Sequence, residues 1–192
     1  MILWTIQPLK VWEIIQQTGV YRCDPAKCSM PEPVFVEKYK WLIDQMEKRI
    51  GPAPDGVSYP VWAWYIQSWK HKKPDLRIER WANGPGNEQY VCIEVELPDD
   101  QVLLSDFDAW CIILLDGLLA DSEEETDEMD AFCDALSPEE QSVYKKANWE
   151  KVFDVSPFEN NWQRRGKHVQ ATFWELRQEM IRNVRFFVTA KR

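Results

Sequence analysis

The chain has 192 residues and a mass of 22.8 kDa, which is the size of one ordinary domain, and we predict a single domain over residues 1–192. Its formal net charge of −9 argues against a protein that scans DNA or binds anionic membranes, because both activities need a cationic surface. Apolar residues make up 45% of the chain, which is typical of a globular protein. The chain has eleven tryptophans, more than are needed to fill a core, because Leu and Ile pack there at least as well.

Alternation of apolar and polar residues predicts seven strands. They are expected at residues 2–7, 20–23, 61–66, 89–97, 101–104, 168–174 and 181–190. In the strand over residues 89–97, Val91 and Ile93 share one face while Glu94 and Glu96 share the other. This pattern is typical of a strand with one solvated face.

Helical spacing and capping residues predict five helices. They begin at Leu9 with a stop at Gly19, follow an apolar stripe from Phe35 to Ile50, and start at capping signals on Ser105, Ser122 and Ser137. The basic segment 70–77 is predicted to be a loop. Because strands and helices do not alternate regularly, we expect an α+β fold with a mixed or split antiparallel-rich sheet of about six or seven strands flanked by helices.

Charge is distributed unevenly along the chain. Residues 121–140 contain ten acids and no base, whereas residues 141–192 have a net charge of +6. The acidic stretch predicts a solvated helical or loop insertion at about residues 118–140. Without residues 121–140 the rest of the chain has a net charge of +1, so nucleic acid stays open as a partner.

The cysteines indicate neither a metal site nor a disulfide framework. Cys23 and Cys28 form the closest pair, with four residues between them, and the chain has two histidines. Structural zinc sites use a tighter pair and further ligands elsewhere, so we predict no metal and a reducing compartment. No signal-peptide pattern and no membrane-spanning apolar run is present, so a cytoplasmic location without membrane contact is expected.

Aromatic residues concentrate on the strand over residues 61–66. Trp62, Trp64 and Tyr65 lie there, with Trp69 and Trp81 nearby, and they could form either a pocket for a planar ring or an aromatic part of the core. Stacking of one base on such a wall contributes on the order of 1–3 kcal/mol.

Three further side chains are candidates for contacts with a ligand or its phosphate. Arg77 could pair with an acid at the start of the next helix, Asp106 or Asp108, or could contact a substrate phosphate. His168 begins a late strand beside basic residues, where a substrate contact is favoured over proton transfer. Gln170 follows on the same strand.

Several segments together resemble an uncharacterised bacterial family, domain of unknown function 3841. The resemblance covers nearly the whole chain and implies one domain, and the family brings no established activity. The matching stretches are residues 3–7, 59–65, 73–77, 103–110 and 169–174.

A weaker resemblance is to ADP-ribosyltransferase-like folds, which begin with a strand, a helix, a glycine and a second short strand. Here those are residues 4–7, the helix up to Gly19 and residues 20–23. The resemblance implies NAD in a cleft, stacked on Tyr65 or Trp64. A neutral Gln170 would stabilise an oxocarbenium-like charge less than a carboxylate, which implies a slow enzyme or a binder descended from one.

The leading hypothesis is therefore a nucleotide-like ligand, with NAD as the candidate cofactor or substrate and ADP-ribosyl transfer or NAD cleavage as the candidate activity. The residues assigned to catalysis are Gln170 and Tyr65, and those assigned to binding are Thr5, Gln7, Trp62, Trp64, Arg77 and His168. One alternative is a PUA-like module for RNA or a modified base, which would use the basic residues from Lys70 to Arg77. The other is a protein-interaction domain that docks through residues 121–135.

Overall fold

The computed structural model describes residues 1–23, 33–84 and 86–191. The strands in these residues are β1 Ile2–Pro8, β2 Val20–Tyr21, β3 Val61–Ile66, β4 Gln89–Glu96, β5 Leu103–Asp106, β6 Phe158–Glu159, β7 Arg164–Arg165, β8 Val169–Phe173, β9 Leu176–Arg177 and β10 Ile181–Val188. The helices are α1 Leu9–Thr18, α2 Pro33–Ile50, α3 Leu76–Ala82, α4 Phe107–Leu114, α5 Glu123–Asp134 and α6 Pro138–Trp149.

Six strands form one sheet in the order β10-β4-β1-β3-β8-β5. Every pairing in the described residues is antiparallel, so the predicted α+β fold is confirmed and the sheet is not mixed. The strands β2 with β9 and β6 with β7 form two separate two-stranded ribbons. The strand β8, next to the edge strand β5, is buried along its whole length.

Each face of the sheet has its own hydrophobic core because side chains alternate along a strand. On one face, α1 packs Val11 and Ile15 against the strands, among them Leu3 of β1 and Ile93 of β4. The other face packs against a second cluster rich in buried indoles, namely Trp41, Trp110, Trp149 and Trp174. Much of the tryptophan surplus is therefore core.

Most local signals in the sequence correspond to the observed element ends. Helix α1 ends at Gly19, whose φ of 78° lies in the left-handed region that glycine adopts without a Cβ penalty. Ser122 and Ser137 cap α5 and α6 by accepting a hydrogen bond from the backbone N–H three residues later. The acidic stretch is thus mainly the helix α5, which packs against α6.

Two local predictions were wrong. Helix α4 is capped by Asp106 rather than by Ser105. Ser105 is instead a residue of β5 and lies opposite Gln170 in the sheet. Part of the segment expected to be a basic loop forms α3, whose cap Asp75 accepts from the backbone N–H of Arg77. The run of basic residues before this seven-residue helix led to the loop prediction, although the aspartate after Pro74 is an ordinary signal for the start of a helix.

No described helix is long and apolar enough to cross a membrane. Within residues 1–23, 33–84 and 86–191, no group of three or more His, Cys, Asp and Glu side chains is arranged to hold a metal ion. Cys28, one member of the close cysteine pair, lies outside these residues.

A buried carboxylate joins the β2–β9 ribbon to the end of β8. Glu175 is 4% exposed, and its two oxygens accept hydrogen bonds from Arg22 Nε at 2.6 Å and from Arg177 Nε at 2.8 Å. Burial opposes ionisation of Glu175, but the two guanidinium groups outweigh it and hold its pKa below the ordinary value.

Glu175→Gln should therefore lower the free energy of unfolding at pH 7 by about 1–3 kcal/mol, a range that allows for the half-exposed arginines. Because the folded-state pKa is depressed, this stabilisation is present above the unfolded pKa and is lost as the pH falls through the folded one. Urea denaturation at pH 7, 5 and 3 should show the difference between the two proteins shrinking toward acid. A difference independent of pH would contradict this account.

Candidate functional site

Three side chains form a row across the last three strands of the sheet, β3, β8 and the edge strand β5. Trp64 of β3 lies opposite Gln170 of β8, which in turn lies opposite Ser105 of β5. Residues directly opposite each other in antiparallel strands share a face, so the three side chains are neighbours. Trp62, two residues before Trp64, lies on this face and packs 5.6 Å from the ring of Trp110 on α4.

An aromatic pair spans the row. The ring centroids of Trp64 and Phe107 are 5.2 Å apart with their planes inclined at 56°. Phe107 directly follows β5 and Trp64 lies on β3, so the two rings approach each other across β8, on the sheet face that carries Gln170. Both aromatic residues are half-buried, whereas Gln170 on the same sheet face is 7% exposed. We name Trp64, Phe107, Gln170 and Ser105 the amide pocket.

Two buried polar atoms of the amide pocket lack hydrogen-bond partners. Neither Gln170 Nε2 nor Ser105 Oγ has a hydrogen bond, although both atoms are buried. Each such unsatisfied group costs about 1–3 kcal/mol, and buried polar groups in native proteins are nearly always paired. A pair of neighbouring exceptions on one face therefore makes this part of the sheet a candidate binding site.

Some of the residues assigned to binding or catalysis from the sequence converge here. Trp62, Trp64 and Gln170 share the face just described. His168 directly precedes β8 and lies two residues before Gln170. His168 Nδ1 lies 3.6 Å from Asp108 Oδ2 on the first turn of α4. These four residues thus belong to one region of the molecule.

The remaining candidates lie elsewhere. Thr5 and Gln7 alternate with Trp4, which faces Trp64, so they point to the opposite side of the sheet. Thr5 is fully buried there, donating to the carbonyl of Trp62 at 2.8 Å and accepting from Gln7 Nε2 at 2.8 Å. Both side chains thus have structural partners.

Tyr65 and Arg77 also stand apart from the amide pocket. Tyr65 packs against the core on the α1 side, with its ring 4.6 Å from that of His71. Arg77 does not reach Asp106 or Asp108, because its guanidinium pairs with Asp75 at 2.6 Å. Those hydrogen bonds lower the pKa of Asp75 to about 2.

The sequence places both Asp106 and Asp108 at the start of α4 but does not show which of them caps it. The Asp106 carboxylate, 3% exposed, accepts from Ala109 N at 2.9 Å and from Gly166 N at 2.6 Å. Burial raises its pKa, and the backbone hydrogen bonds only partly offset that effect. The Asp106 carboxylate thus joins the start of α4 to the turn before β8.

A cleft of about 790 Å³ opens beside the start of α4. Its walls include Asp106 and Asp108, the α5 residues Thr126 and Asp130, and the segment 160–167 around the β6–β7 ribbon. Asp108 lines this cleft and also contacts His168, so the cleft adjoins the region of the amide pocket. Because the lining comes from several distant segments, no single sequence motif marks it.

A six-stranded antiparallel sheet with helices on both faces defines a single-domain α+β protein. The chain belongs to the family described as domain of unknown function DUF3841, whose model matches residues 2–182. This match confirms the resemblance drawn from the sequence motifs. No curated protein and no solved structure matches the chain, and the resemblance to ADP-ribosyltransferase-like folds is without support.

Asp106→Ala should lower the free energy of unfolding by about 2–4 kcal/mol, because it removes a helix cap and leaves the buried N–H of Gly166 without an acceptor. Asp108→Ala, on the exposed side of the same helical turn, is the matched control and should change stability by about 0.5 kcal/mol or less. Urea denaturation measures both. Equal losses for the two variants would refute this role of Asp106.

Gln170→Met and Ser105→Ala should each leave the unfolding free energy unchanged or raise it by about 1 kcal/mol, because each removes a buried group that lacks a partner. Thr5→Val is the control, since it deletes a buried hydroxyl that has two partners and should destabilise by about 1–3 kcal/mol. Thermal and urea unfolding give the sign. Clear destabilisation by both pocket variants would mean that these groups are satisfied inside the protein.

Proposed function

We propose that this protein binds a nucleotide-like small molecule through its planar heterocycle, with NAD as the first ligand to test. The single observation that carries the proposal is the pair of buried, unpartnered polar atoms on Gln170 and Ser105, on a sheet face that also carries the aromatic pair of Trp64 and Phe107. Nothing in the rest of the described core combines these two features.

The chemistry of the amide pocket favours a ligand edge that carries both an acceptor and a donor. Gln170 Nε2 donates, and Ser105 Oγ can donate or accept. A carboxamide, as on nicotinamide, or the amide-like edge of a nucleobase offers a carbonyl oxygen next to an N–H. Such an edge would satisfy both orphaned groups at once, with a net gain of about 0.5–1.5 kcal/mol for each hydrogen bond.

The aromatic pair gives the ring of the ligand its place. Trp64 and Phe107 are inclined rather than stacked, and both are half-buried at the surface of the sheet. A flat heterocycle that parts them would stack on both rings while its edge reaches Gln170. Stacking on one such ring contributes on the order of 1–3 kcal/mol, which adds to the hydrogen bonds.

Binding is the primary proposal, and cleavage of the nicotinamide–ribose bond is secondary. Cleavage develops positive charge on the ribose, which a carboxylate stabilises better than a neutral amide. Gln170 is neutral, and Asp108 is the carboxylate that contacts this region, through His168. The arrangement therefore orients a heterocycle more readily than it stabilises an oxocarbenium ion.

The two alternative functions rest on other surfaces. Lys70, Lys72 and Lys73 are exposed before α3 and would serve an RNA-binding module, whereas Arg77 is already paired with Asp75. The exposed acids of α5 would serve a basic protein partner. No observation in the described residues favours either of them over the amide pocket.

Isothermal titration with NAD, and separately with nicotinamide, tests the proposal. Both should bind, and Gln170→Met should weaken binding about tenfold, the loss expected when one buried hydrogen bond of about 1.4 kcal/mol is removed. Trp64→Leu should weaken it to a similar degree by removing a stacking wall.

Trp12→Leu is the matched control, because Trp12 packs against the core on the α1 side of the sheet and should leave affinity unchanged. Absence of heat and of tryptophan quenching at millimolar NAD and nicotinamide would refute the proposal. Binding that Gln170→Met leaves intact would place the ligand elsewhere.

A further inference from the structure

The cleft beside α4 is a second candidate site that the proposed function does not use. Its volume of about 790 Å³ lies within the range of about 300–1,000 Å³ typical of small-molecule sites. It lies between α4, α5 and the β6–β7 ribbon, and its lining does not include Gln170, Ser105 or Trp64. The cleft therefore needs its own occupant.

The charges around the cleft disfavour an anionic ligand. Among the described residues that line it, five aspartates stand against four lysines and arginines. Three of those four cations already form ion pairs. The pairs are Lys151 with Glu125 at 3.1 Å, Arg165 with Asp154 at 3.0 Å and Arg164 with Glu159 at 3.1 Å. The strongly acidic α5 forms one wall, so a phosphate would meet net repulsion.

A fixed loop presents an indole to the cleft. Trp162 lines the cavity and is 48% exposed. Asn160 holds this loop, because its Oδ1 accepts from Trp162 N at 2.8 Å and its Nδ2 donates to Asp121 O at 2.8 Å. Gln163 Nε2 donates to the carboxylate of the same aspartate. The backbone of the loop that carries the indole is thus held in place before any ligand arrives, which lowers the entropic cost of binding.

We propose that this cleft binds a neutral polyhydroxylated ligand of the sugar class. The apolar face of a sugar ring would pack on Trp162, an amphipathic surface suited to such contacts. Its hydroxyls, each both donor and acceptor, match the carboxylates of Asp108 and Asp130 and the amide of Asn161, which all line the cleft. A phosphate group would instead add charge where carboxylates are in excess.

Two-dimensional NMR of the indole N–H signals, with D-glucose, D-ribose and glucose 6-phosphate as probes, tests this proposal. One or both neutral sugars should shift the Trp162 signal with a millimolar Kd, and glucose 6-phosphate should bind at least about threefold more weakly at low salt. Trp162→Ala should weaken binding at least tenfold, as measured by the remaining amide signals. Trp81→Ala is the matched control, since Trp81 is 57% exposed on α3 and should leave binding unchanged.

Three results would overturn the proposal: no shift with any probe at about 50 mM, tighter binding of glucose 6-phosphate than of glucose, or undiminished binding by Trp162→Ala. Gln170→Met should leave the sugar response intact, because that residue belongs to the amide pocket. Failure of the NAD titration and failure of the sugar titration can therefore be told apart.

Discussion

The Asp106 carboxylate is the interaction on which both candidate sites depend. One oxygen caps α4 through Ala109 and the other accepts from Gly166 in the turn that leads into β8. Phe107 and Asp108 follow it directly, whereas His168 and Gln170 follow the glycine that it holds. A single buried group thus holds the start of α4, which contributes Phe107 to the amide pocket and Asp108 to the cleft, against the strand that carries Gln170.

Gly166 shows how closely this turn is packed. Its φ of 78° lies in the left-handed region, and a Cβ there would approach the carbonyl oxygen of Val155 to 2.8 Å. Burial raises the pKa of Asp106, so the protein keeps a carboxylate where its ionisation is disfavoured. We interpret this unfavourable burial of the Asp106 carboxylate as the consequence of joining the start of a helix to a buried turn with one side chain.

The strand β8 combines two opposing demands. Its five residues are all buried, as suits the strand between β3 and β5. An apolar residue at position 170 would serve that core better than an amide without a partner. Binding sites commonly contain a residue that lowers the stability of the fold. For this reason we assign the proposed ligand to the amide pocket rather than to the exposed basic residues before α3.

Local patterns predicted much of the fold but little of the site. The stop at Gly19, the caps at Ser122 and Ser137 and the alternation along β4 depend on neighbouring residues and are visible in the sequence. The opposition of Trp64, Gln170 and Ser105 depends on the register between strands that are distant in sequence, which no local pattern fixes. The same register turns Thr5 and Gln7 to the other face.

Direct observation of the Gln170 side-chain amide offers the sharpest test of the central claim, namely that a ligand edge completes the amide pocket. The two N–H signals of this amide can be assigned in a ¹⁵N-labelled protein by their loss in Gln170→Met. On addition of nicotinamide they should shift as the amide gains an acceptor, together with the backbone signals of Ser105. Unchanged Gln170 signals at a nicotinamide concentration that shifts signals elsewhere would contradict the account.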